Sequence, residues 1–250
     1  MTVPVPEPHG AAADPLRAAA PFVQRSARGL PVQRFGRETC SDLAALDRLE
    51  WLVANGIGGY AGGTLSGGLA RGYHGLLVAA LTPPVGRCLM LASLIETVTA
   101  EGTETALSTI RWRGGPVAPE GWLSLESVSI EGTIPTWRFA APGVALEKIV
   151  FIDHGAIVAR IEYRNTGSGG PLALRLGALA DFRDYHSRSF HAGPLQGIEA
   201  TGDTLRVPGP GGPETDLHLV CEHGRAEADG APWFGFDLAR ERARGLTDAE

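Results

Sequence analysis

The chain has 250 residues, 44% of them hydrophobic and 20% charged, enough for a substantial core in one large domain or two small ones. Glycine (34) and proline (18) together make about a fifth of it, below the level of wholesale disorder, so a turn-rich fold is expected. A net charge of −6 without a strongly basic stretch argues against nucleic acid, and no apolar run approaches the roughly 20 residues that cross a bilayer, which argues against a membrane partner.

Residues 1–34 are rich in Ala and Pro, show no period and read as a flexible tail. Their acids Glu7 and Asp14, with no lysine and no apolar core, do not make a signal peptide, so a cytoplasmic chain is expected. One domain over 35–250 then follows. Leu43, Leu46 and Leu49 at helical spacing behind Ser41 predict a short helix over 41–49, with Ser41 as its cap. The apolar run from Gly75 to Leu81 predicts a strand buried on both faces and stopped by Pro83 and Pro84. Further strands are expected near 87–100, 104–113, 122–131, 134–140 and 144–152. Ile157, Ala159, Ile161 and Tyr163 alternate with Val158, Arg160, Glu162 and Arg164, which predicts a half-buried strand. It runs through the turn-rich 165–170 into Leu172, Leu174 and Leu176, and the pair reads as a hairpin. Weaker strands near 203–208 and 217–222 precede a charged, helical 238–246. Short strands at regular spacing without intervening helices predict a mainly β fold. The expected architecture is an antiparallel β-sandwich with a short N-terminal helix and a C-terminal helical segment.

Cys40, Cys88 and Cys221 are unevenly spaced and lack a C-x-x-C pair, so reduced, mostly buried thiols are expected; neither a metal site nor a cofactor is. Nine glycines crowd into 55–75, a density that implies positive φ or close approach of backbone to a neighbour. Gly56-Ile57-Gly58-Gly59-Tyr60-Ala61 matches the dinucleotide fingerprint in letters only. No helix pattern follows it, and no acid stands about 20 residues on.

Two clusters share one arrangement, Arg71-Gly72-Tyr73-His74-Gly75 and Arg183-Asp184-Tyr185-His186-Ser187. Each sets a cation, a phenol ring and an imidazole within a few residues. These groups suit sugars, because a ring stacks on the apolar face of a pyranose while Arg, Asp and His bond its hydroxyls. Core packing of the tyrosines and loop bonding by the histidines is the alternative. His154, between Asp153 and Gly155, reads as a turn residue. Hydrolysis of a glycoside needs two carboxylates on either side of the scissile bond. Glu50, Glu96, Glu126, Asp181 and Asp184 are available, nothing pairs any two of them, and Glu50, Asp181 and Asp184 stand in aromatic settings. No G-x-S-x-G, S-x-x-K or H-E-x-x-H motif is present.

Residues 50–67, from Glu50-Trp51-Leu52-Val53-Ala54-Asn55-Gly56 to Leu65-Ser66-Gly67, resemble the N-terminal domain of bacterial and archaeal glycogen debranching enzymes, and Tyr73-His74-Gly75-Leu76-Leu77-Val78 continues the block. Arg183-Asp184-Tyr185-His186-Ser187 is similar to a second block of that family, and 233–246 to its closing segment. The chain departs from the family's pattern at Leu69-Ala70-Arg71-Gly72, where polar residues and a second basic residue commonly stand. The resemblance implies a sandwich of the supersandwich type. It also implies, in complete members, a following (α/α)6 barrel with the amylo-α-1,6-glucosidase centre, which these 250 residues do not include. It further implies α-glucan (glycogen, amylopectin or maltooligosaccharides) as ligand and the barrel as partner. Tyr73, His74, Arg183, Asp184, Tyr185 and His186 would then line a glucan-facing edge or the barrel interface, with the glycine loop letting backbone approach sugar. The family also carries 4-α-glucanotransferase activity, so two alternatives stand beside a non-hydrolytic role. Either the chain transfers or hydrolyses glucan through a pair from Glu50, Asp181 and Asp184, or it is a structural relic that binds no sugar.

Overall fold

The computed structural model describes residues 24–25, 29–189 and 195–246. In chain order the strands are β1 (Gln24–Arg25), β2 (Pro31–Phe35), β3 (Glu50–Ala54), β4 (Tyr60–Thr64), β5 (Gly75–Thr82), β6 (Val85–Ala100), β7 (Thr103–Ala106), β8 (Thr109–Arg111) and β9 (Val117–Glu120). They continue with β10 (Leu125–Glu131), β11 (Ile134–Ala141), β12 (Val144–Ile152), β13 (Ala159–Asn165), β14 (Ala173–Asp184), β15 (Glu199–Thr201), β16 (Thr204–Val207) and β17 (Leu217–Val220). The helices are α1 (Arg37–Cys40), α2 (Leu43–Arg48) and α3 (Ala239–Ala243).

Two antiparallel sheets face each other. One runs β1-β2-β10-β11-β12-β13 and the other β14-β6-β5-β4-β3, with β7 on the end of β6; β15-β16-β17 and β8-β9 form two smaller sheets. Mainly β, sandwiched and antiparallel, the fold is the one expected from the sequence. Period-two alternation builds the core: Val144, Leu146, Val150 and Ile152 of β12 turn inward to meet Trp51, Val53, Leu94 and Val98 of the opposite sheet. Trp51 meets Trp137 edge to face across the gap, ring centroids 5.4 Å apart. One inward position of β12 is not apolar. It is Lys148, the only lysine of the chain, whose Nζ lies 2.7 Å from the Glu96 carboxylate of β6. The Tyr163 hydroxyl of β13 donates to the same oxygen. A cavity of about 40 Å³, bounded by Trp51, Trp137, Ser93, Ser108, Glu96 and Lys148 among others, adjoins this trio. By volume it would hold about two or three waters.

Several local expectations change. The helix starts one residue later, because Asp42 rather than Ser41 caps it, its carboxylate accepting from the N–H groups of Ala44 and Ala45. Segment 104–113 divides between β7 and β8, and 122–131 opens as a 3₁₀ turn over Gly121–Ser124. The hairpin expected between 157–164 and 172–177 is absent. β13 pairs with β12 in one sheet, whereas β14 crosses over and pairs with β6 in the other. The seven-residue, glycine-rich connection is long enough to change sheets, and β6, at 16 residues, offers a far longer edge than β13. The tail expected over 1–34 lies mostly outside the described residues, but 31–34 belong to β2, which hydrogen-bonds to β10. Of the cysteines, Cys40 and Cys88 are buried and Cys221 is exposed. Among the described residues no helix is long and apolar enough to cross a membrane.

Candidate functional site

Both sequence clusters come together on the outer face of the β14-β6-β5-β4-β3 sheet, opposite the core. The register shows why. Tyr60 pairs with Val78, Val78 with Leu89 and Leu89 with Arg183, so these four form one row across the sheet. Ala54 pairs with Tyr60 while Trp51, three residues earlier on β3, points into the core, which puts the row on the other face. Val78 and Leu89 are nonetheless fully buried, and the chain through Gly72 and Tyr73 is fastened to this row. Two bonds hold it down: the Tyr60 hydroxyl donates to the Tyr73 carbonyl at 2.7 Å, and the Arg183 guanidinium donates to the Gly72 carbonyl at 2.8 Å. Burial pushes the Tyr60 phenol up to about 12, with the neighbouring Tyr185 adding to the effect, so it stays a donor.

Above this base stands an aromatic group. Tyr185 and His186 lie 4.0 Å apart by ring centroid, Tyr73 meets them edgewise at 5.4 and 5.7 Å, and the Tyr73 hydroxyl is 3.1 Å from His186 Nδ1. Two guanidinium groups flank the rings, Arg87 at 5.4 Å from the Tyr185 centroid and Arg188 at 5.9 Å from that of Tyr73. Of the six residues expected to share a site, Tyr73, Tyr185 and His186 form this surface, and the buried Arg183 positions it. Asp184 spends its carboxylate on the backbone N–H of His186 at 2.9 Å, which shapes the turn carrying the rings. His74 is buried beside it and accepts from the Ala70 N–H through Nδ1 at 3.2 Å.

Each catalytic candidate is engaged. Glu50 stands on the same outer face, with Arg71 Nε at 2.8 Å, His74 Nε2 at 3.6 Å and Arg240 Nε at 3.8 Å, all on one oxygen. The His74 contact, followed by that of Arg71, outweighs burial and holds the Glu50 carboxyl down at about 2, so at neutral pH it is an anion with no proton to donate. A pH effect follows. A carboxyl near 4.5 when unfolded and about 2 when folded contributes stability that is complete above pH 4.5 and lost as pH falls towards 2. The melting-temperature gap between wild type and Glu50→Gln should therefore be widest at neutral pH and close between pH 4 and 2; a gap independent of pH would remove this account. Asp181 pairs with Arg183 Nε at 3.0 Å and accepts from the Ser189 hydroxyl at 2.9 Å. Among the described residues Glu50, Asp181 and Asp184 do not pair with one another, and no group of His, Cys, Asp and Glu is arranged to hold a metal.

The glycines make close approaches, but to the chain itself. A Cβ on Gly56 would overlap the His154 ring, and one on Gly72 the Arg188 guanidinium. Asn55, fully buried, explains the turn between β3 and β4. Its side-chain oxygen accepts from the N–H groups of Ile57 and Gly59, and its amide donates to the Ala156 carbonyl at 2.9 Å, which ties the turn to the loop before β13. His154 is therefore a packing residue as well as a turn residue. Ala70 and Gly72 act through backbone, Ala70 also accepting from the Arg240 N–H at 3.0 Å, whereas Arg71 acts through its side chain on Glu50.

Sequence reasoning missed Arg87, Arg188 and Glu241. Arg87 follows the Pro83-Pro84 turn with no motif around it, and Arg188 lies one residue past the second cluster. Glu241, in α3, is fully buried; it accepts from the Gly72 N–H at 3.2 Å and faces Arg188 at 3.4 Å. The closing segment thus reaches back to the first cluster, so three blocks distant in sequence meet at Gly72. A family model described as glycogen debranching enzyme N terminal matches residues 49–250. The chain belongs to that family. No curated protein and no solved structure matches it. The matched region of this debranching-enzyme domain contains the Tyr73, Arg183 and Glu241 blocks together and omits α2 and β2.

Proposed function

We propose that this domain works in the cytoplasm as a non-hydrolytic part of glycogen debranching, presenting one wall of a cleft for α-glucan while a catalytic (α/α)6 barrel forms the other. The observation that carries the reading is the grouping of Tyr73, Tyr185 and His186 on a base fixed by Arg183, Asp184 and His74. Half-buried rings offer faces to pyranose C–H groups, and the hydroxyl and imidazole offer bonds to sugar hydroxyls. The rings stand on the outer side of a sheet, whereas the inter-sheet cavity is too small for a glucose unit. A surface of this kind becomes a closed site when a second surface covers it, which joins glucan recognition and barrel docking in one set of residues.

Calorimetry with maltoheptaose tests it. Wild type should release heat on titration, and Tyr185→Ala should weaken binding by roughly tenfold, the scale of one lost stacking contact. Heat from neither protein overturns glucan binding. In parallel, release of glucose or rearranged oligosaccharides from branched glucan, abolished by replacing Glu50, Asp181 or Asp184, would overturn the non-hydrolytic assignment.

A further inference from the structure

The carboxylates around the aromatic group are committed elsewhere than to Arg87, that of Asp184 accepting from the His186 N–H. Arg71 pairs with Glu50, Arg183 with Asp181 and Arg188 with Glu241. Arg87 has no carboxylate among the described residues: its Nε donates to the Gly58 carbonyl at 2.7 Å, its Nη1 approaches the Tyr185 hydroxyl at 3.3 Å, and its Nη2 has no partner there. A half-buried guanidinium over a phenol ring sits in a medium of reduced dielectric, where an anion is held more strongly than in water. Its free edge and the Tyr185 hydroxyl are the donors that a tetrahedral oxyanion takes up. A neutral glucan can accept bonds from the guanidinium but leaves its charge uncompensated.

We propose that Arg87, with Tyr185, makes an anion subsite for a phosphoryl group carried on a sugar, placed at the margin of the glucan surface. The subsite rests on the glucan reading, since the same Tyr185 ring serves both. The phosphoryl group has two possible sources, a free hexose phosphate and a phosphate ester on a glucan chain. In either case Arg87 supplies the charge and the aromatic group the sugar contact. The Gly58 carbonyl holds the guanidinium by Nε, and the backbone of Pro84 at the exposed hairpin tip lies against Gly58.

The test compares three probes by calorimetry on the whole chain: maltoheptaose, a maltooligosaccharide bearing one 6-phosphate ester, and glucose 6-phosphate. The phosphorylated oligosaccharide should bind roughly tenfold more tightly than maltoheptaose, the scale of one charge-assisted pair. In Arg87→Met that ratio should fall to about one. Glucose 6-phosphate binding as tightly as the ester supports the free metabolite as ligand, and weak binding supports the glucan ester. Equal affinity for ester and maltoheptaose in wild type, or a preference that survives Arg87→Met, overturns the subsite while leaving the glucan reading in place. Silence from all three probes overturns both. Because Arg87 also holds Gly58, the preference is measured on wild type at rising salt as well, where it should shrink; a preference insensitive to salt counts against the subsite.

Discussion

Lys148→Met should destabilise the chain by about 3–5 kcal/mol, the cost of leaving a charge buried without its partner. Met preserves nearly all the volume of the lysine, so the loss is electrostatic. Lys148 is 9% exposed and Glu96 4%, and they join the two sheets, β12 to β6. Burial drives the Tyr163 phenol well above its ordinary range and the Glu96 charge adds to it, so Tyr163 keeps its proton and donates it to Glu96. With the ammonium gone, the Glu96 carboxylate retains one phenol donor beside a cavity with room for only about two or three waters. Glu96→Leu together with Lys148→Met removes both charges and should recover most of the stability, leaving a deficit near that of one orphaned hydroxyl, about 1 kcal/mol. Urea unfolding of the wild type, both single variants and the double variant makes the measurement. If Lys148→Met alone costs under about 1 kcal/mol, the pair is solvated, and the cavity beside it is connected to bulk water.

The second large effect is at Arg183, which is 6% exposed. Its guanidinium joins Asp181 to the Gly72 carbonyl, so one side chain binds the β14 turn to the segment that carries Tyr73 and His74. Arg183→Met should cost about 2–4 kcal/mol, since it strands a carboxylate and a buried carbonyl together. Arg183→Lys should recover little of this, because a single ammonium cannot reach two acceptors in different directions. Spectroscopy separates this effect from general loosening. The near-ultraviolet signal of the tyrosines should change in Arg183→Lys while the far-ultraviolet strand signal is kept. Full stability in Arg183→Lys would show that charge alone holds the loop.

The fold was legible where a strand alternates cleanly or is apolar throughout. The alternation in 157–164 marked β13, and the unbroken apolar run marked β5. β3 and β4 were hidden. β3 is five residues long with the apolar Leu52 on its outer face, so it does not alternate, and β4 is broken by glycines that read as turn, although Gly62 and Gly63 sit in strand backbone opposite Leu52 and Trp51. The inward lysine was hidden for another reason. In Val144-Ala145-Leu146-Glu147-Lys148-Ile149-Val150-Phe151-Ile152 both parities carry apolar residues, so alternation cannot tell which face Lys148 takes. The recurrence of Arg, Tyr and His at short spacing drew attention to both clusters of the site, but pairwise spacing does not say which of them are foundations. Arg183 and His74 proved buried, and Asp184 proved to be a turn cap. Arg87 and Glu241 reach the site through sheet register and chain return, relationships with no local trace in sequence.

The packing around Asn55, Gly56 and Gly72 bears on how such sequences are sorted. Gly56 has a positive φ and the His154 ring in the space a side chain would need, and a side chain at Gly72 would have to displace the Arg188 guanidinium. A descendant that had abandoned sugar altogether would be held to the same letters by steric exclusion alone. The glycine pattern therefore records kinship and says nothing of whether a given relative is still in use. Loss or retention of ligand would be written instead at Tyr185 and His186, whose side chains support little of the surrounding backbone and are free to drift once selection on them ends.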